Sequence, residues 1–169
     1  MSEGKAHVLP DVLSQGLKVV FCGTAAGARS AQVGAYYAGP GNKFWKTLFT
    51  VGLTPRLLEP GEFRLLPQYG IGLTDIAKTY SGADSGLRRT HFDAKGLRLK
   101  LENAAPTVVA FNGKKAAQSF YATDVPFGQQ REKLAVSTSV FVLPSTSGAA
   151  NGFWNIRYWQ ALASFLSES

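Results

Sequence analysis

At 169 residues, 45% hydrophobic and 17% charged, the chain has the composition of an ordinary globular protein and the length of a single domain, residues 1–169. Eighteen lysines and arginines against 11 aspartates and glutamates leave a net charge of +7, which favours an anionic partner such as nucleic acid. One cysteine excludes an internal disulfide, and two histidines beside it are too few soft ligands for a structural zinc site, so no metal is expected. No apolar run is long enough to span a bilayer, and the opening MSEGKAHVLPDVL has no basic-then-apolar signal pattern. The expected location is cytoplasmic.

The first element is a β-branched and aromatic run over residues 18–22 that stops at Gly23, the pattern of a buried strand ending in a turn. Cys22 falls inside it, where an inert buried thiol is expected. A long glycine-bearing loop follows, carrying the adjacent Tyr36 and Tyr37. A helix then starts at Asn42, a plausible N-cap, pairs Phe44 with Leu48 and Trp45 with Phe49, and stops at Gly52. Further strands are predicted at 70–76, 107–111 and 139–143. Helices are predicted from 94 to about 103, from 113 to about 122 and from 153 to 166, and residues 79–91 read as an exposed basic loop. Apolar strands alternating with helices predict an α/β fold, a three-layer α/β/α sandwich with a short, mostly parallel central sheet. Ligands of such sheets bind at the carboxyl ends of the strands, so the loop after Gly23 is the first place to look for a site.

The glycines of Gly23-Thr24-Ala25-Ala26-Gly27 match neither the dinucleotide fingerprint nor a phosphate-binding Walker loop. What distinguishes the segment is its order: glycine turn, paired tyrosines, then Gly39-Pro40-Gly41-Asn42-Lys43-Phe44-Trp45. Together with Tyr69-Gly70-Ile71-Gly72-Leu73-Thr74, Val109-Ala110-Phe111-Asn112-Gly113-Lys114, Phe127-Gly128-Gln129-Gln130 and Leu143-Pro144-Ser145-Thr146-Ser147, it resembles the uracil-DNA glycosylase superfamily, closest to the mismatch-specific uracil/thymine-DNA glycosylase branch. The five blocks stand in the family's order over roughly residues 10 to 160.

The resemblance implies a pocket for a flipped base formed by Gly23, Thr24, Ala25, Tyr37 and Asn112. Tyr37 would be the ring that stacks on the base, unless it packs into the core, and Tyr36 before it is a candidate for the duplex side. Asn112 is either the N-cap of the next helix or a group facing the base or a phosphate. The family's water-positioning asparagine is replaced by Ala25, whose methyl group cannot orient water. Asp75, at a strand end, is the leading substitute, against the alternatives of capping the next turn or pairing with Lys78. Asn42 is the second substitute and Thr24 a distant third.

The wedge loop Pro144, Ser145, Thr146, Ser147, Gly148 and Ala149 carries small residues where the family often inserts an arginine. Lys43 and Lys114 adjoin these loops as candidate phosphate contacts, as do Arg29, Lys115, Arg88 and Arg89. The implied activity is that of a monomeric, monofunctional uracil-DNA glycosylase without metal or cofactor. Its partner would be uracil-containing DNA and its product an abasic site. The competing expectations are a non-catalytic binder of uracil or abasic DNA and a glycosylase for another deaminated base such as hypoxanthine.

Overall fold

The computed structural model describes residues 6–169; the first five, which belong to the expected 1–169 domain and to the N-terminal pattern above, lie outside the described residues. Five strands form one sheet: β1 (Val19–Gly23), β2 (Ile71–Asp75), β3 (Val108–Asn112), β4 (Gly128–Gln129) and β5 (Ser139–Leu143), in the order β2-β1-β3-β5-β4. All pairings are parallel except the two-residue edge strand β4 against β5. Every residue of β1, β2, β3 and β5 is buried, as expected of parallel strands covered on both faces.

The two-residue side-chain period divides those strands between two cores. Val19, Phe21, Leu73, Val108, Ala110, Phe141 and Leu143 face a layer formed by α2 (Phe44–Thr50), α5 (Ile156–Ser167) and the 3-10 segment Pro60–Tyr69. Its centre is aromatic: Phe21 stacks on Trp159 with ring centroids 5.4 Å apart and meets the edge of Phe44 at 5.3 Å. Val20, Cys22, Val109, Phe111, Val140 and Val142 face the other layer, α3 (Ala94–Ala104) and α4 (Lys114–Tyr121), through Leu97, Leu101, Ala116, Ala117 and Phe120. Each large side chain so buried contributes roughly 1.5–3 kcal/mol. This is the three-layer α/β/α sandwich expected from the sequence.

Three local departures bear on the site. The loop after Gly23 contains a short helix, α1 (Ala28–Val33), closed by Gly34 in the left-handed conformation (φ 71°). The second helix begins at Phe44 with Lys43 at its N-cap position, although the Asn42 side chain still accepts the Phe44 N–H at 3.0 Å. The last helix begins at Ile156 after an Asn155 cap, because residues 148–153 form a separate 3-10 turn.

Strand β1 is flanked by β2 on one side and β3 on the other, and the chain crosses to the opposite face between them. A crevice must open where the two crossovers diverge, at the carboxyl ends of β1, β2 and β3. Those ends are Gly23, Asp75 and Asn112.

Candidate active site

A cavity of about 310 Å³ opens there, floored by Gly23, Asp75 and Asn112. Its walls are the first loop (Thr24, Ala25, Ala26, Gly27), Tyr37, the Gly39–Asn42 turn, and Ser145, Thr146, Ser147 and Gly148. The two loops meet backbone to backbone: a Cβ on Gly148 would lie 3.2 Å from the Gly41 carbonyl oxygen, and the Lys43 N–H donates to the Thr146 carbonyl at 2.9 Å. Glycine at 148 eases this approach, whereas a Cβ at 41 would meet the Gly148 Cα at an ordinary 3.6 Å.

Asp75 is 5% exposed. Burial raises its pKa to about 6; the Asp11 and Asp84 charges add to the rise, while Lys78 and the Gly23 backbone oppose it. It does not cap the next turn: the Ile76 and Ala77 N–H groups bond to the Gly23 and Thr24 carbonyls. Nor does it pair with Lys78, whose ammonium goes to Asp11 at 2.9 Å and to the Tyr36 hydroxyl at 2.9 Å. Asp75 is therefore a buried carboxyl with no cation in contact among the described residues, facing a cavity.

Tyr37 stacks on Phe44 with centroids 4.1 Å apart, so one ring face belongs to the core while the residue also lines the cavity. Its hydroxyl is buried and has no hydrogen-bond partner among the described residues, which costs on the order of 1–3 kcal/mol. Its backbone adopts φ 53°, a conformation seldom taken by a bulky residue. Tyr36 does not face outward. It is 1% exposed, donates to the Pro10 carbonyl at 2.9 Å and packs against Phe63.

Asn112 is not a helix N-cap, since that position belongs to Gly113 (φ 108°). Its amide bonds to Thr146, donating one N–H to Oγ1 at 2.9 Å and accepting the backbone N–H at 3.0 Å, so it ties β3 to the last loop while lining the cavity. Thr24 donates to Asp84 at 2.9 Å, which fixes the 80–92 segment against the first loop. Ala25 lines the cavity with a methyl group. Asn42 also lines it, with its amide oxygen occupied by the Phe44 N–H.

Pro144 and Thr146 are buried rather than on the rim, and the Pro144 carbonyl accepts the Trp159 indole N–H at 3.1 Å. Ser145 and Ser147 line the cavity, although each hydroxyl already accepts a backbone N–H, from Ser147 and Ala149. Ala149 is exposed. The large side chain on this turn is Phe153, 72% exposed, which the sequence reading placed at the start of the last helix. Lys43 bonds to Asn151 and lies over the Trp154 ring, and Lys114 lies 4.6 Å from the Phe127 ring centroid. Arg29 is exposed and lines the cavity. Among the described residues no cluster of His, Cys, Asp and Glu is arranged to hold a metal ion.

A second polar cluster lies beside this floor. Asp11 accepts from Thr74 at 2.7 Å and Lys100 at 2.7 Å and pairs with Lys78 at 2.9 Å. Burial alone would raise its pKa, but Lys100, Lys78 and Thr74 outweigh it and hold the carboxyl below its ordinary value.

A pocket at the switch point of a doubly wound sheet, with an unpaired carboxyl on its floor and Arg29 among its lining residues, defines a small-ligand site of the α/β class. The profile of the uracil DNA glycosylase superfamily matches residues 10–163, and the chain belongs to that superfamily of DNA-acting glycosylases. Among solved structures, it is similar to the solution structure of a candidate uracil DNA glycosylase from Methanosarcina acetivorans. The identity is 24% and the TM-score 0.62, with 96% of this chain and 98% of the other covered. That likeness bears on the fold.

Proposed function

We propose that this protein is a monofunctional uracil-DNA glycosylase, nearest the mismatch-specific branch, which hydrolyses the N-glycosidic bond of a flipped uracil and leaves an abasic site. The observation that carries this reading is Asp75: a buried, unpaired carboxyl on the floor of the cavity the family would use for the base. As the bond breaks, positive charge develops on the sugar and negative charge on the departing pyrimidine. The carboxylate stabilises the first and takes a proton from the attacking water. Asn42 is the weaker substitute because its amide oxygen is already bonded.

Extruding the base requires an aromatic surface and a grip on the backbone. Tyr37 supplies the free face of a ring already braced by Phe44. Phosphate contacts fall to Arg29, Lys43 and Lys114 and to the main chain around Ser147, Gly148 and Ala149. The protein acts as a monomer in this reading. Ala25 favours the rival of a binder of uracil or abasic DNA without turnover, because the methyl group cannot orient water.

Incubating a labelled uracil-containing oligonucleotide with the protein should release free uracil and leave a strand that breaks only on added alkali. Intact oligonucleotide after prolonged incubation with excess protein would leave the binder standing. The same assay with hypoxanthine in place of uracil tests the base preference.

A further inference from the structure

The cavity holds a second polar group that the fold leaves unused. Among the described residues, the Tyr37 hydroxyl is the one buried side-chain polar atom without a hydrogen-bond partner. Buried polar groups are almost always satisfied, so an orphan in a cavity calls for an explanation. Packing does not supply one, because the 4.1 Å stack on Phe44 would be made equally well by phenylalanine. The residue is also held at φ 53°, where its neighbours must fix it against its own preference.

The hydroxyl shares its place with Asp75. A Cβ built on Gly23 would lie 3.1 Å from the Tyr37 oxygen and 2.7 Å from Asp75 Oδ1, so both groups converge over the bare face of that glycine. Burial keeps the phenol protonated, and the Asp75 charge reinforces this; the nearby Asn112 amide opposes it without reaching hydrogen-bond geometry. The pair is thus a fixed donor beside a fixed acceptor. A water molecule suits that pair: it gives one proton to the carboxylate and receives the phenol proton on one lone pair, leaving the other free.

We propose that Tyr37 is a positioning residue whose hydroxyl, together with Asp75, orients the attacking water. The free lone pair forms the C1′–O bond as the C1′–N1 bond breaks and its electron pair leaves on the pyrimidine. The water proton passes to Asp75. This inference rests on the role given to Asp75 above, and it assigns Tyr37 a function separate from stacking, one that requires the oxygen rather than the ring.

The test is Tyr37→Phe, which keeps the ring and removes the oxygen, alone and combined with Asp75→Asn. Single-turnover excision by Tyr37→Phe should fall roughly tenfold or more, the effect of one lost transition-state hydrogen bond, with affinity for uracil DNA and for free uracil unchanged. In the Asp75→Asn background the same change should cost less than about twofold, because two groups holding one water are not additive. A wild-type rate for Tyr37→Phe, a full multiplicative loss in the double variant, or a matching loss of free-uracil affinity would overturn the proposal. If Asp75→Asn is itself silent, the assignment of Asp75 fails. If Asp75→Asn is slow and Tyr37→Phe is not, only the role of Tyr37 fails.

Discussion

Two polar clusters meet at the end of the sheet, and they are built on opposite terms. Around Asp11, each group is answered: two lysines and a threonine bond to one carboxylate, and Tyr36 links Lys78 to the Pro10 carbonyl. At the cavity, among the described residues, Asp75 has no cation in contact and the Tyr37 hydroxyl has no partner in hydrogen-bond geometry. The outcome is visible in the carboxyls themselves, one held below its ordinary pKa and the other raised to about 6. A satisfied network reports on folding. An unsatisfied one, kept in a cavity at a cost in stability, reports on what enters the cavity.

The contrast breaks most directly at Asp75. Asp75→Ala should lower the single-turnover rate by roughly 10²–10⁴-fold, the range for a lost acid–base group, with DNA affinity largely retained. Asp75→Asn should retain part of the rate, and restoring asparagine at Ala25 in the Asp75→Ala background should rescue some of it if both positions serve one water. A wild-type rate for Asp75→Ala would move the role to Asn42 or to the backbone.

The reverse expectation holds for Asp11. Asp11→Ala leaves the Lys78 ammonium, 7% exposed, without its carboxylate, and breaking such a pair costs about 3–5 kcal/mol. Denaturant unfolding should show this loss, while folded protein should excise at near the wild-type rate at neutral pH. A stable Asp11→Ala protein with a severe catalytic defect would put the satisfied network inside the mechanism.

pH separates the two sides of the Asp75 role. The carboxylate must be ionised to take a proton, so the single-turnover rate should rise as pH passes through about 6 and then level off. Stability runs the other way. The folded-state pKa lies above the ordinary aspartate value of 3.8, so the folded chain binds that proton more tightly than the unfolded chain does. The resulting penalty is absent below about pH 4 and complete above about pH 6, on the order of 3 kcal/mol. Asp75→Asn should therefore melt higher than the parent at pH 7 and lose that advantage near pH 4. An advantage independent of pH would show that ionisation of Asp75 is not what costs stability.

The smallest single-residue effects belong to the rim. Binding to uracil-free duplex should weaken steeply with salt, and replacing Lys43 or Lys114 should each reduce the slope of log affinity against log salt by about one. A flat salt response would make the +7 charge irrelevant to DNA.

The sequence disclosed the four parallel strands well, because Val-Val-Phe-Cys, Val-Val-Ala-Phe and Val-Phe-Val-Leu are short, β-branched and apolar on both faces, whereas the two-residue edge strand Gly128–Gln129 was too short to show. The family resemblance grouped Gly23, Asp75 and Asn112 in one site, and the parallel strands bring them together at their carboxyl ends. It did not disclose which of two adjacent tyrosines points inward, because that depends on the φ 53° backbone of Tyr37. Pairings between distant positions were equally hidden: Asn112 with Thr146, 34 residues on, and Asp11 with Lys78. The six residues of α1 were too few to show a period.

The glycine contact between residues 41 and 148 has a consequence in time. One wall of the cavity comes from the first quarter of the chain and the facing wall from beyond residue 144, docked through Lys43 to Thr146 and Gly41 against Gly148. Strand β5, which carries that second wall, lies between β3 and β4. During synthesis the cavity therefore cannot close until nearly the whole chain has left the ribosome. A chain cut short before Pro144 would carry the first wall of the cavity with no second wall to face it.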